Sequence, residues 1–151
     1  MVPIQILFGS QSGNAQNLAS IIGESLDALG FSTKVVDMGD CDPEEILNMT
    51  HILIVTSTYG DGEAPDNASA WLSYLKFSDD LNLDHIRYAV LGLGDTYYPH
   101  FCQAARDFDE YLSKRGAYCL QKRLECDLYY EEQYPDWFNA FIQVLKKSVH
   151  E

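Results

Sequence analysis

A short apolar strand, Ile4–Phe8, runs directly into Gly9-Ser10-Gln11-Ser12-Gly13-Asn14-Ala15, and a helical pattern begins at once. A strand that hands over to a helix through so short a turn belongs to a βαβ unit, with a parallel neighbour in the sheet. The turn itself is chemically pointed. Ser10 to Gly13 offer small or polar side chains and accessible backbone N–H groups. The unpaired donors and positive dipole end of a helix lie immediately behind them. Such a junction can hold a phosphate. No Lys follows Gly13, so it is not a Walker loop, and G-x-G-x-x-G is absent. Hydroxyls and amides without a cation suit a phosphate monoester that is bound and never transferred. An ordinary Ser/Gly-rich βα turn has the same local look, so the loop alone leaves both readings open.

The rest of the chain repeats the alternation. Val2–Phe8, Thr33–Val36, Ile52–Ser57, Tyr88–Leu93 and Tyr118–Leu124 have strand character. Helical periodicity over Asn14–Leu29 puts Leu18, Ile21, Ile22, Leu26 and Leu29 on one face, with Gly30 at C′. Asp42-Pro43-Glu44-Glu45 opens a short helix, capped by Asp42 with Pro43 at the first position. Asn67–Phe77 carries Trp71, Leu72 and Leu75. A fourth helix carries Ala104, Ala105, Phe108, Tyr111 and Leu112 and ends near Gly116. A last one carries Trp137, Phe141, Val144 and Leu145. Strands alternating with helices predict an α/β fold, a five-stranded parallel sheet with helices on both faces. The 151 residues suit a single domain spanning 1–151.

Open sheets of this kind bind ligands beyond the carboxyl ends of their strands. The loops after the first, third and fourth strands are therefore expected to converge. The second of these is Ser57-Thr58-Tyr59-Gly60-Asp61-Gly62-Glu63-Ala64-Pro65-Asp66-Asn67, and the third is Leu93-Gly94-Asp95-Thr96-Tyr97-Tyr98-Pro99-His100-Phe101-Cys102. Both set tyrosine beside glycine. A planar ligand clamped between two aromatic rings, with its phosphate tail in the first loop, accounts for all three.

Together the loops resemble the flavin mononucleotide (FMN) site of flavodoxins, and most of all that of short-chain bacterial flavodoxins and of the FMN domains of diflavin reductases such as cytochrome P450 reductase and sulfite reductase flavoprotein. Ser10–Ala15 is similar to the family's Ser-Gln-Thr-Gly-Thr/Asn-Ala. Ser57–Glu63 is similar to Ser/Ala-Thr-Tyr-Gly-Glu/Asp-Gly-Glu/Asp. Gly92–Asp95, with Tyr98, Phe101 and Cys102, resembles the third FMN loop, and Phe108-Asp109 and Asp127 fall where the family has similar residues. The likeness runs from Ile4 to about Trp137. It implies the strand order 2-1-3-4-5, FMN as cofactor and no metal.

The resemblance also implies roles. Ser10, Gln11, Ser12, Gly13, Asn14 and Ala15 hold the phosphate. Tyr59 stacks on one flavin face and Tyr98 on the other, with Tyr97 the competitor for the outer position. Ser57, Thr58, Leu93, Gly94, Asp95, His100, Phe101, Cys102 and Asp127 complete the binding set. The Gly60–Asp61 peptide is expected at flavin N5, where glycine lets it flip so that its carbonyl can accept a hydrogen bond from the N5–H formed on reduction. Asp61, Glu63, Asp66, Asp95 and Asp127 are acids of the same rim. A carboxylate roughly 6 Å from a reduced flavin, at an effective dielectric of about 20, opposes its negative charge by at most about 2.8 kcal/mol. Asp66 is read as a solvated residue or a helix cap.

Charge bears on partners. Lys and Arg number 10 against 23 Asp and Glu, a formal net charge of −13. That disfavours nucleic acid and anionic membranes and favours a redox partner with a basic docking surface. The donor implied is an NADPH-dependent flavoprotein reductase; the acceptor is unspecified. Cys41, Cys102, Cys119 and Cys126 form no C-x-x-C pair and read as free thiols of a cytoplasmic, monomeric protein. With Met1 against the first strand, no signal peptide is expected. His51, His85 and His150 read as surface or strand-edge residues, and Trp71 and Trp137 as packing. Three functions fit: a free-standing one-electron carrier that is not itself an enzyme, which is preferred; the FMN domain of a larger reductase; and a small FMN-dependent reductase. A receiver domain of the same fold needs an acidic cluster after the first strand, where Gly9-Ser10-Gln11 stands instead.

Overall fold

Alternation along the strands decides how the layers form. In β1 (Ile4–Gly9), Ile4, Ile6 and Phe8 face one side of the sheet and Leu7 the other. β3 (His51–Ser57) and β4 (Arg87–Leu93) are buried almost throughout, as strands covered on both faces must be. Leu53, Val55, Ala89 and Leu91 join Ile4, Ile6 and Phe8 under α1 (Asn14–Ala28) and α4 (Tyr130–Val149). Ile52, Ile54, Tyr88 and Val90 lie on the opposite face under α2 (Asp66–Phe77) and α3 (Gln103–Lys114). A computed structural model describes residues 2–10, 13–58 and 62–149 of this arrangement.

With β2 (Thr33–Asp37) and β5 (Tyr118–Cys119) the sheet order is β2-β1-β3-β4-β5, all parallel. That is the predicted 2-1-3-4-5 order with helices on both faces. Gly30 and Gly116 end α1 and α3 with φ of 93° and 95°, left-handed positions that favour glycine. The segment after Asp42 is a 3-10 helix over Pro43–Asn48, and the Asp42 side chain accepts from Glu44 N–H.

The fifth strand departs from expectation. Instead of one run over Tyr118–Leu124 there are two pieces, β5 (Tyr118–Cys119) and β6 (Leu124–Cys126), both paired with β4. From Tyr88 to Leu91 the partner strand advances three residues, whereas Cys119 to Leu124 takes five. The two extra residues leave the ladder because other groups claim them. Lys122 O accepts from Trp137 Nε1, and Arg123 reaches both Asp109 and Glu125. Trp71 is buried and donates to the carbonyls of Met38 and Cys41, so both tryptophans pack as expected. His51 does not lie on the surface. It is buried at the start of β3, between Thr50 Oγ1 and Ser148 Oγ.

Candidate functional site

Parallel pairing sets Gly9 beside Thr56, and Ser57 beside Leu93, at one edge of the sheet, where the chain leaves β1, β3 and β4. At the first exit, Gly13 is the N-cap of α1 with φ 88°, and its N–H donates to Ser10 Oγ at 2.9 Å. Among the described residues no side chain caps this helix, and its first turn holds no acid. The first intrahelical bond beyond the cap is Asn17 N–H to Gly13 O, so the N–H groups of Asn14, Ala15 and Gln16 have no helical partner. Asn14 is exposed at the cleft described next, whereas Ala15 is fully buried and has only its backbone to offer. Gln11 and Ser12 lie outside the described residues.

The exits of β3, β4 and β6 enclose a cleft of about 250 Å³ lined by Asn14, Ser57, Thr58, Leu93, Gly94, Asp95, Tyr98, Asp127, Leu128 and Tyr130. Ser57 is buried, and its Oγ has no hydrogen-bond partner among the described residues. A buried hydroxyl without a partner is uncommon, and here it lines a cleft, so a polar ligand group is the natural complement. Thr58 is anchored instead: its N–H donates to Leu93 O and its Oγ1 accepts from Ala104 N–H at 2.9 Å. Gly94 N–H donates to Cys126 O at 2.9 Å, which ties the third loop to β6. A Cβ on Gly94 would lie 3.1 Å from Cys102 N and from Phe101 Cδ1, so glycine lets the loop close down there without crowding.

Of the two tyrosines, Tyr98 lines the cleft and Tyr97 does not. Tyr97 is 86% exposed and Tyr98 46%, and their rings meet edge-on with centroids 5.4 Å apart. Asp95 shapes that turn, accepting from Tyr97 N–H through Oδ1 and from Tyr98 N–H through its carbonyl. His100 sits against Gly62, where an added Cβ would approach its Cβ to 2.9 Å, so it joins the second loop to the third. Phe101 is half-buried packing. Cys102 is fully buried at φ 55°, and burial pushes its thiol up to about 12, so it fills space and is not a reactive thiolate. Asp127 lines the cleft and shapes the turn before α4: its Oδ1 accepts from Tyr129 N–H at 2.8 Å. Asp66 is exposed in the first turn of α2, the solvated position anticipated for it. Tyr59, Gly60 and Asp61 lie outside the described residues.

Three contributors were not singled out in the sequence. Leu128 and Tyr130 form a wall of the cleft from the β6–α4 connection. Tyr130 is buried, and its hydroxyl accepts from Asn17 Nδ2. Asn67 Oδ1 accepts from Ser10 N–H at 3.1 Å. The signal for Tyr130 was its place four residues after Cys126, inside a stretch read only for Asp127. A larger groove of about 640 Å³ lies outside β2 among Lys34, Asp37, Asp40, Cys41 and Glu45, with no aromatic ring in its lining.

A parallel sheet whose first βα turn presents free helical N–H groups, beside an aromatic-walled cleft at the carboxyl edge, defines a nucleotide-binding α/β protein. The sequence profile named Flavodoxin matches residues 6–140. The sulfite reductase [NADPH] flavoprotein alpha-component of Bacillus subtilis is 38% identical over 96% of this chain, and that of Photobacterium profundum 40% over 89%. The chain spans only 24% and 22% of the length of these two curated relatives. Among solved structures, the flavodoxin of Streptococcus pneumoniae TIGR4 superposes with a TM-score of 0.86 at 33% identity, covering 97% of this chain and 99% of its own. Flavodoxin 2 of Bacillus cereus gives 0.81 at 34% identity, covering 94% and 99%. The chain belongs to the flavodoxin family, and its cofactor is FMN. The cleft fits that group on its own evidence: helical N–H donors that no side chain caps among the described residues, a Ser57 hydroxyl unpaired among the same residues, and Tyr98 for a planar face.

Proposed function

We propose that this protein is an FMN electron carrier that takes electrons from an NADPH-dependent flavoprotein reductase and passes them singly to an acceptor protein. The observation that carries the reading is the cleft itself, where Ser57 and Tyr98 stand within one lining beside the uncapped α1 N-terminus. Bound FMN supplies reversible one- and two-electron redox chemistry. The chain's own residues bind and orient it: Ser10, Ser12, Asn14 and the α1 N–H groups take the phosphate, Tyr98 covers the outer ring face and Tyr59 the inner. Asp95 and Asp127 place negative charge by the ring, opposing its full reduction. Among the described residues no group of three or more His, Cys, Asp or Glu could hold a metal ion.

Likeness to the flavodoxins of Streptococcus pneumoniae and Bacillus cereus supports the carrier reading. Identity to the sulfite reductase flavoproteins supports a second one, in which the chain works as the FMN domain of such a reductase. Neither needs the chain to turn over a substrate alone, and we place it in the cytoplasm as a single monomeric domain. Among the described residues no helix is long and apolar enough to cross a membrane. The test is anaerobic: the FMN-loaded chain is mixed with NADPH, with and without a separate flavoprotein reductase. Reduction only when the reductase is present supports the proposal. Rapid reduction by NADPH alone makes the chain an enzyme and contradicts it.

A further inference from the structure

Asn67 lies outside the cleft, yet it bonds to the first residue of the phosphate loop. Its Oδ1 accepts from Ser10 N–H at 3.1 Å, and its Nδ2 donates to Asp37 Oδ1 at 2.9 Å. Asp37 Oδ1 is itself held by Gly39 N–H at 2.8 Å. The amide has one usable orientation. Turned over, its NH₂ would meet the Ser10 N–H and its oxygen would meet a carboxylate, two repulsive pairs in place of two bonds.

Two glycines admit the α2 first turn to this position. A Cβ on Gly9, at the end of β1, would lie 2.7 Å from Ala68 Cβ, and one on Gly39 would lie 3.0 Å from Asn67 Cβ. Close backbone approach at both points sets Asn67 between the end of β1 and the end of β2. α2 also follows directly on the loop that carries Tyr59 to Asp61. Its first turn is thus joined covalently to the ring-binding loop and by Asn67 to the phosphate-binding loop.

We propose that Asn67 is a positioning residue for the cofactor phosphate: it takes up the Ser10 N–H and fixes the start of the phosphate-binding loop. Ser10 then serves the phosphate through its hydroxyl alone, because its N–H points to Asn67. This refines the assignment above and rests on it.

The test compares FMN with riboflavin, which has the ring but no phosphate, on the full chain stripped of flavin. Binding is followed by flavin fluorescence, and the fold by thermal unfolding of the same samples. Wild type binds FMN in clear preference. Asn67→Ala weakens FMN by about tenfold and leaves riboflavin within about twofold, so the preference falls by nearly that factor. Asp37→Asn keeps an oxygen for the Asn67 amide and retains the preference within about threefold. The phosphorus NMR signal of bound FMN shifts in Asn67→Ala and stays in place in Asp37→Asn. Should Asn67→Ala fail to fold, Asn67→Asp carries the same test, since it sets a second carboxylate against Asp37 and loosens the loop. Equal weakening of both flavins makes Asn67 a general scaffold residue and overturns the proposal, as does an unchanged FMN affinity. If wild type itself shows no preference for FMN, the phosphate-loop assignment falls first. If wild type discriminates and Asn67→Ala does so equally, only the role of Asn67 falls.

Discussion

Tyr97 and Tyr98 are adjacent in sequence and differ in what they touch. Tyr98 lines the cleft; Tyr97 projects from it and meets only the edge of its neighbour. Tyr98→Ala is therefore expected to weaken FMN binding by about 1–3 kcal/mol, and Tyr97→Ala by well under 1 kcal/mol. Flavin fluorescence titration of the two variants separates them, and the reverse order would show that the wrong ring was assigned. Gly60 has a different prediction. If its peptide must turn to offer a carbonyl to the reduced ring, Gly60→Val penalises that turn by about 1–2 kcal/mol. The two one-electron potentials then move closer together in an anaerobic titration at equal FMN occupancy; unchanged spacing would remove the peptide from that role. The place of Tyr98 at the cleft was legible because the pattern of its loop is local. That of Asn67 was not, because its partners Ser10 and Asp37 are distant in sequence and meet only through β1 and β2.

The break between β5 and β6 is the clearest case of an element that periodicity misplaced. The apolar ends of Tyr118–Leu124 suggest one strand, although Gln121-Lys122-Arg123 between them is a polar run. What interrupts the strand is Asp109 on α3, which accepts from Tyr88 Oη at 2.5 Å and from Arg123, while Glu125 binds Arg123 Nε and Arg106. The arginines hold the Glu125 carboxyl below its ordinary value despite partial burial. His51 is a second element-scale surprise. A histidine beginning a strand looks like an edge residue, but α4 returns over that edge and closes Ser148 on it. Burial, and then Arg87, lowers its pKa. The folded state thus binds the proton less readily than the unfolded chain. The stability this provides is complete above pH about 6.5 and is lost as pH falls through the lower folded value. Urea midpoints of wild type should fall between pH 7 and 5.5 more than those of His51→Gln. Parallel behaviour of the two would show that His51 does not titrate with unfolding.

Across the whole molecule, sheet order and helix polarity put like charges at like ends. In a parallel α/β fold the helix N-termini share the cleft edge and their C-termini the opposite one. Asp66, Glu131 and Glu132 occupy first turns, and Lys76, Lys114, Lys146 and Lys147 occupy last turns. Each complements its helix dipole, and the acids of α2 and α4 lie at the helix ends that share the cleft's edge of the sheet. Association with a basic reductase should slow by about tenfold or more between about 0.01 M and 0.15 M salt. A salt-independent rate would argue against steering by this edge. The central claim is that one cleft at the carboxyl edge holds FMN by its phosphate as well as its ring. Titration of the flavin-free chain with FMN and riboflavin tests it most directly. Two charge-assisted hydrogen bonds to a phosphate, at about 1.5–3 kcal/mol each, predict that FMN binds at least about a hundredfold more tightly. Equal dissociation constants for the two flavins would contradict the account.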